Sequence, residues 1–323
     1  MFSSFIFHHG RFRKDTRPAI LSLVAAGLCT GCPLPNPGLI SASINVEGVR
    51  RTYDLYVPAS YEDSQEVPLL VALHPFASTG RGMSRMTDFN AVAEAEGFIV
   101  AYPDGRTRLW NGDPTDEPNG PPEGRDDVAF IDALISEIQE EYAIDARRVY
   151  ATGASNGALM AQRLGCDLTE RFAAIASVMI TLPVGWEDVC DPSSPLPTLL
   201  IQGVDDPFFP WEGGTVQQGP FLQSEYDSAA SMVQFWVDNN AAVTPPVTEQ
   251  LPDTDPADGT TIYRETYAPG QDGAEVVFYG VNGGGHTWPG STPMLQRLVG
   301  VTSQDMDASR VIWDFFTQHV KPQ

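Results

Sequence analysis

The chain has 323 residues, and 42 acidic against 19 basic side chains give it a formal net charge of −23 at pH 7. A protein this acidic repels a phosphate backbone, which excludes nucleic acid as a partner. The length is sufficient for one large domain to bury about three quarters of its unfolded surface, so that no second folded domain is required.

Residues 1–31 have the features of an export signal. Four basic residues precede the apolar stretch Ala19–Leu28, and small residues follow up to Cys32. The stretch is too short to remain as a membrane anchor. The residues before Cys32 also resemble a lipoprotein signal, so Cys32 is a lipidation candidate, with plain secretion as the alternative. We therefore expect an exported protein that is either secreted freely or attached to the membrane only through a lipid on Cys32.

Residues 32–40 are rich in proline and predict a short, stiff spacer, which leaves residues 41–323 for the folded domain. There, short apolar runs alternate with longer amphipathic runs, a pattern typical of an α/β domain with a mostly parallel sheet and helices on both faces. The predicted strands are Arg51–Val57, which is antiparallel, and then Val67–Leu73, Phe98–Tyr102, Arg148–Thr152, Ala173–Met179, Thr198–Gln202 and Ala274–Tyr279.

Four helices are predicted between and after these strands. Apolar residues recur at helical spacing from Val128 to Tyr142, directly behind Asp126 and Asp127, and acidic residues there suit a helix N-terminus. A surface loop is predicted for residues 244–259. The other predicted helices are Ser155–Leu164, Ser224–Asn239 and Asp305–His319.

The residues Gly153-Ala154-Ser155-Asn156-Gly157 stand between a predicted strand and a predicted helix. This is the spacing of a nucleophile elbow, in which a serine at a tight turn takes a strained conformation and two glycines let neighbouring backbone pass close. The N-terminus of the helix favours a developing oxyanion, so the Asn156 N–H is a candidate donor. The pattern predicts that Ser155 is a nucleophile.

A serine nucleophile needs a histidine that takes its proton. Of the five histidines, His8 and His9 lie in the leader and His319 lies near the end of a helix. His74 ends a predicted strand, where a structural hydrogen bond is expected. His286 remains, in a glycine-rich loop after the last predicted strand, and is the candidate base.

The histidine in turn needs a carboxylate that orients it. The run Thr198–Gln202 leads into Asp205 and Asp206, at the C-terminal end of a strand, where α/β folds carry functional residues. Asp206 is preferred, although the chemistry of the two neighbours alone does not separate them. The chain order serine, aspartate, histidine is the order expected of α/β-hydrolases.

The loop after Val67–Leu73 is expected to supply a second oxyanion donor, and the Phe76 N–H is the best candidate. These residues together can cleave an ester without help from other groups. No metal and no cofactor is therefore expected.

Two cysteines, Cys166 and Cys190, lie in the folded part of the chain. An exported protein meets an oxidising compartment, so we predict a disulfide between them. Two separately buried thiols are the alternative. A metal site is not expected, since two cysteines without a nearby histidine make too few ligands.

Further motifs accompany these residues. They are Leu73-His74, Tyr102-Pro103-Asp104-Gly105, Trp110-Asn111, Asp126-Asp127-Val128, Phe130-Ile131, Val149-Tyr150, Arg171-Phe172-Ala173, Asp206-Pro207, Pro210, Glu212-Gly213-Gly214 and Gly285-His286-Thr287-Trp288-Pro289. Together with the elbow, they resemble the secreted esterases of the polyhydroxybutyrate depolymerase and feruloyl esterase type, over nearly the whole folded domain. The resemblance implies an α/β-hydrolase fold without a large lid, and a triad of Ser155, Asp206 and His286.

The resemblance has two further implications. It favours Asp206 over Asp205, because the acid directly before proline carries the role in that family. It also supports a disulfide bridge between Cys166 and Cys190. One departure is Pro75, where relatives usually have glycine. A proline cannot donate an N–H, but the expected donor is the following residue.

Aromatic residues flank the predicted site, and large aromatic faces suit a feruloyl ring, a sugar or a polyester. Ordinary loop packing is the alternative explanation for each of them. The candidate substrate contacts are Trp288, Trp110 and Trp211, with Phe208 and Phe209 close by.

The sequence thus predicts an exported serine esterase that acts through an acyl-serine intermediate on polyhydroxybutyrate or a related ester. Feruloyl or acetyl esters of plant polysaccharide are the alternative substrates. A different class of function also fits, namely a binding protein of hydrolase fold that has lost turnover through Pro75.

Overall fold

A ten-stranded mixed sheet forms the centre of the computed structural model, which describes residues 38–116, 126–217, 223–270 and 273–322. The strands found there are β1 (Leu39–Val46), β2 (Val49–Tyr56), β3 (Val67–Leu73), β4 (Ile99–Pro103), β5 (Ile144–Ala154), β6 (Ala174–Val178), β7 (Thr198–Gly203), β8 (Gly214–Gln217), β9 (Gln223–Tyr226), β10 (Val247–Gln250), β11 (Thr261–Tyr267) and β12 (Val276–Asn282). Their order across the large sheet is β1-β2-β4-β3-β5-β6-β7-β12-β11-β10, while β8 pairs with β9 separately.

The six central strands, from β4 to β12 in that order, pair in parallel, and every pair nearer an edge is antiparallel. The side chains from Leu69 to Leu73 in β3 are all fully buried. A parallel strand is covered by helices on both faces, so its side chains are apolar in both directions. The predicted α/β class with a mostly parallel sheet is confirmed.

Helices cover both faces of the sheet, and the alternation of side chains along β3 divides the core into two layers. Helices α3, α4 and α5 pack with Leu69 and Val71 on one face, whereas α1, α2 and α7 pack with Leu70 and Ala72 on the other. The helices among the described residues are α1 (Gly80–Thr87), α2 (Phe89–Glu96), α3 (Asp127–Glu141), α4 (Asn156–Asp167), α5 (Ala229–Asn239), α6 (Gln296–Val299) and α7 (Ala308–Phe316).

The predicted acidic start of α3 is present. The carboxylate of Asp126 caps the helix by accepting the Ala129 N–H at 2.8 Å. Asp127 forms a buried ion pair with Arg51, whose guanidinium carbon lies 3.9 Å from the centre of the Phe130 ring. Asp127 therefore ties the start of α3 to β2 in addition to its place at the helix N-terminus.

Three predicted boundaries are wrong. The helix predicted for Ser224–Asn239 begins at Ala229, because residues 223–226 form β9. The loop predicted for residues 244–259 contains the exposed strand β10, which has no apolar alternation and is held by its pairing with β11. The spacer predicted for residues 32–40 overlaps β1, because Leu39 and Ile40 already pair with β2.

The predicted export signal and Cys32 lie outside the described residues. From Gly38 onwards the chain forms one compact unit. Among the described residues, no helix is both long enough and apolar enough to cross a membrane.

Cys166 and Cys190 form a disulfide, as the sequence predicts. The bridge joins the last turn of α4 to the segment that precedes β7, and the two cysteines are 24 residues apart. Because α4 begins directly after Ser155, the bridge anchors the far end of the helix that carries the predicted nucleophile.

We expect the double variant Cys166→Ala, Cys190→Ala to lower the free energy of unfolding by about 3 kcal/mol, because a cross-link over a loop of this length restricts the unfolded chain. Urea unfolding followed by circular dichroism measures the change. A reductant is the control: it should bring the wild type to the stability of the double variant and leave the double variant unchanged. Equal stability of the oxidised wild type and the variant would contradict the prediction.

Candidate active site

Ser155 occupies a sharp turn between β5 and α4. Its backbone has φ 53° and ψ −122°, a conformation that non-glycine residues rarely adopt. Its N–H donates to the Val178 carbonyl at 2.9 Å, so the turn is held against the end of β6. The strained conformation is the one that the elbow pattern predicts for this position.

Two glycines allow the turn because the backbone around it is closely packed. A Cβ atom added to Gly153 would lie 2.1 Å from the Gly157 carbonyl oxygen. One added to Gly157 would lie 2.3 Å from the Leu73 carbonyl oxygen and 2.5 Å from that of His74. No side chain fits at either position, and the start of α4 therefore lies directly against the end of β3.

Asp206 and His286 are brought together although 80 residues separate them. His286 Nδ1 lies 2.8 Å from Asp206 Oδ2, and the aspartate side chain is fully buried. Asp206 follows β7, His286 follows β12, and these two strands are parallel neighbours. The two loops also share a backbone bond from the Asp205 N–H to the Gly284 carbonyl at 2.9 Å.

Among the described residues, four hydrogen bonds reach the Asp206 carboxylate, and they come from its own loop, from β7 and from His286. Its Oδ1 accepts the N–H groups of Phe208 and Phe209 at 2.8 and 3.0 Å, and its Oδ2 accepts Gln202 Nε2 at 3.3 Å beside the His286 contact. Asp205 is exposed, whereas Asp206 is buried. The hydrogen bonds satisfy both oxygens of this buried carboxylate and fix its orientation toward His286.

The imidazole of His286 packs between two phenylalanines. Phe209 stacks on it with ring centres 5.5 Å apart, and Phe208 meets it edge-on at 5.1 Å. With Nδ1 held by Asp206, the ring is fixed in orientation, and Nε2 is the nitrogen left for proton transfer. The sequence indicates that these two phenylalanines lie close to the site, because they directly follow Asp206-Pro207.

A ladder of backbone bonds leads from the serine turn to the histidine loop. Met179, after β6, donates to Ile201 of β7, and Val204, after β7, donates to Val281 of β12, both at 2.9 Å. The ends of β5, β6, β7 and β12 therefore lie along one edge of the sheet. In the part of the chain that the structure describes, no hydrogen bond joins the Ser155 hydroxyl to His286. That bond is often long before substrate binds.

Two backbone N–H groups near the start of α4 and the end of β3 have no acceptor among the described residues. They belong to Asn156, the first residue of α4, and to Phe76, in the loop after β3. Free N–H groups at a helix N-terminus and in an adjacent loop are suited to hold a developing oxyanion.

His74 is a structural residue, as its place at a strand end predicts. It is fully buried, and its Nε2 accepts the Gly105 N–H at 2.9 Å, so the proton lies on Nδ1, which donates to the Pro75 carbonyl at 2.8 Å. Burial lowers the pKa of His74, which keeps the ring neutral. The histidine thereby holds the loop that carries the Phe76 N–H.

Comparison with known proteins identifies the family. The family described as "Esterase PHB depolymerase" matches residues 51–182, a range that includes Ser155. A protein of Nocardia uniformis subsp. tsuyamanensis named "Putative esterase NocK" is 32% identical over 292 residues, which cover 88% of this chain and 84% of that protein. The chain belongs to the PHB depolymerase family of esterases.

Another relative of this PHB depolymerase family member is "Feruloyl esterase B" of Piromyces equi, 27% identical over 237 residues. The match covers 71% of this chain but 41% of that protein. Among solved structures, "Acetyl xylan esterase from Aspergillus awamori" matches with a TM-score of 0.56 at 19% identity, over 84% of this chain and 99% of that one. The structural match supports the α/β-hydrolase fold.

Three tryptophans of this PHB depolymerase family member are predicted from the sequence to contact the substrate. For Trp110 and Trp288 the prediction is wrong. Trp110 and Trp288 are each 2% exposed, and the indole of Trp288 donates to Ser309 Oγ at 3.1 Å and packs edge-on against Phe89. A side chain buried to this extent has no face to offer a substrate. Trp211 is half-buried against Phe278 and remains a candidate.

The exposed aromatic side chains of the site are instead phenylalanines. Phe76, beside the free N–H groups, is 65% exposed, and Phe208, against His286, is 39% exposed. Pro75 does not prevent this arrangement, because it supplies only its carbonyl, which accepts the ring Nδ1–H of His74 and the backbone N–H of Ser78. The free N–H belongs to the next residue, Phe76. No group of three or more metal-ligating side chains suited to a metal ion occurs in the described ranges.

Proposed function

We propose that this protein is a serine esterase that hydrolyses carboxylic esters through an acyl-serine intermediate. The observation that carries the proposal is the 2.8 Å contact between His286 Nδ1 and the buried carboxylate of Asp206, together with the strained serine at the start of α4. In this mechanism the Ser155 oxygen attacks the ester carbonyl while His286 Nε2 takes the hydroxyl proton. Asp206 orients the ring and stabilises the imidazolium.

The tetrahedral intermediate carries its negative charge on the former carbonyl oxygen. The N–H groups of Asn156 and Phe76 are proposed to bind that oxygen. His286 then donates its proton to the departing alcohol, which leaves the acyl group on Ser155. Water, deprotonated by His286, attacks the acyl-serine and releases the acid. This cycle needs no metal and no cofactor.

The exposed rings of Phe76 and Phe208 support an apolar substrate rim, since an ester with a bulky acyl or alcohol group would cover them. We propose polyhydroxybutyrate or a related aliphatic polyester as the substrate. A feruloyl or acetyl ester of polysaccharide is the second candidate, because two of the relatives bear the names feruloyl esterase and acetyl xylan esterase.

We further propose that the protein is exported. The basic and then apolar residues 1–31 support this proposal, and so does the Cys166–Cys190 disulfide, which is stable in an oxidising compartment. A lipid on Cys32 remains part of the proposal, and the mass of the mature N-terminus tests it.

A fluorophosphonate probe tests the proposed nucleophile. We expect it to label the wild type and not Ser155→Ala, because the probe reacts with an activated serine. The His286→Ala variant should lose labelling and ester cleavage while its circular dichroism stays that of the wild type. Absence of labelling in a folded wild type would support the binding-protein alternative and overturn the proposed mechanism.

Neighbouring aspartates provide a matched pair of variants. Asp206→Asn should lower kcat by roughly 10⁴-fold with little change in KM, because an amide no longer holds His286 in the required tautomer. Asp205→Asn removes the same charge one residue away at an exposed position, and should keep kcat close to that of the wild type. Equal effects of the two variants on kcat would contradict the role assigned to Asp206.

A substrate panel separates the two candidate classes. We expect release of hydroxybutyrate from a polymer film and faster cleavage of aliphatic than of aromatic p-nitrophenyl esters. Methyl ferulate and acetylated xylan are the comparison substrates. A kcat/KM for methyl ferulate well above those for the aliphatic esters would instead favour the polysaccharide-esterase alternative.

A further inference from the structure

Trp110 is deeply buried although it lies in the loop after β4, and its main chain is bonded to the start of α4. The Trp110 N–H donates to Asn156 Oδ1 at 2.7 Å, and Asn156 Nδ2 donates to the Trp110 carbonyl at 3.0 Å. The carboxamide of Asn156 thus makes a reciprocal pair of bonds with one residue. Asn156 directly follows Ser155 and carries one of the two proposed oxyanion donors.

The indole of Trp110 reaches the other side of the site. Its Nε1 donates to the His74 carbonyl at 3.0 Å, and the indole and imidazole rings lie 5.0 Å apart. His74 begins the loop that carries Phe76, the other proposed donor. One side chain and one stretch of main chain therefore bridge the two elements that supply the oxyanion N–H groups.

The loop around Trp110 is itself held firmly. The Ala77 N–H donates to the Arg108 carbonyl at 2.9 Å, and the Asn111 N–H donates to the buried carboxylate of Asp127 at 2.8 Å. A Cβ atom added to Gly112 would lie 2.9 Å from the Met160 backbone nitrogen, so the loop lies directly on the backbone of α4. Trp110 consequently acts as a fixed spacer between α4 and the loop after β3.

From this geometry we propose that Trp110 is a positioning residue that sets the separation between the Asn156 N–H and the Phe76 N–H. The inference rests on the proposed esterase function. Oxyanion donors act only when both lie about 2.7–3.1 Å from the position of the charged oxygen, and a displacement near 1 Å lowers the rate strongly. The two donors belong to separate elements that meet at Gly157, and Trp110 bonds to both of these elements.

The Trp110→Phe variant tests the proposal, because it keeps most of the buried volume and removes the bond to the His74 carbonyl. We expect kcat to fall about 10- to 100-fold, with KM close to the wild-type value, since the interaction acts in the transition state. The affinity for a trifluoromethyl ketone, which forms a tetrahedral oxyanion on the serine, should fall by the same factor as kcat/KM. A merely structural role would leave that affinity unchanged.

Trp236→Phe is the matched control. Trp236 is fully buried on α5, and its Nε1 donates to Gln162 Oε1 at 2.8 Å, so the substitution removes an equivalent indole bond away from the donors. We expect a similar loss of stability with kcat near that of the wild type. Wild-type kcat and inhibitor affinity in Trp110→Phe, or equal losses in both variants, would overturn the inference.

Asn156→Ala provides a second measurement that does not depend on the folding of Trp110→Phe. The alanine keeps the backbone N–H and removes both bonds to the Trp110 main chain, so kcat and ketone affinity should again fall in parallel. Wild-type values for both would overturn the inference while the esterase function stands. A wild type that the fluorophosphonate does not label overturns the proposed function itself, and the inference with it.

Discussion

The close approach of α4 to the end of β3 is the constraint on which the site depends. At Gly157 no room exists for a side chain, because the carbonyl groups of Leu73 and His74 lie against it. That contact forces Ser155 into its left-handed, strained conformation and brings the N-terminus of a helix beside the loop after β3. The same contact therefore fixes the turn that carries Ser155 and brings the residues with the two free N–H groups, Asn156 and Phe76, onto adjacent elements. A displacement of the helix would disturb all three together.

The second half of the site is built from donors to one buried carboxylate. Burial of a charged aspartate is unfavourable unless its oxygens accept hydrogen bonds, and those of Asp206 accept four. Two come from the N–H groups of Phe208 and Phe209, whose rings also pack on His286. The loop after β7 therefore holds the Asp206 carboxylate and encloses the His286 ring with the same few residues. Strand β12, parallel to β7, brings the histidine to that loop.

Aromatic residues in this esterase divide into two groups by burial. Trp110 and Trp288 are large and apolar, but each is buried with its indole N–H bonded inside the protein. The side chains of Phe76 and Phe208 have no polar atom that needs a partner, and both remain exposed. The departure at Pro75 is accommodated because the proline supplies only a carbonyl to its loop, and the free N–H belongs to its neighbour.

Local patterns in the sequence determined the parallel strands, the serine turn and the capped start of α3, because each depends on residues within a few positions of one another. The family resemblance, more than residue chemistry, chose Asp206 over its neighbour. Only the tertiary structure decided which aromatic rings are buried, because burial depends on segments distant in the chain. Only the tertiary structure also shows that residues 247–250 form the exposed strand β10, because these residues are held by pairing with β11. A strand held only by such pairing need not show an alternation of polar and apolar residues, so its sequence does not identify it.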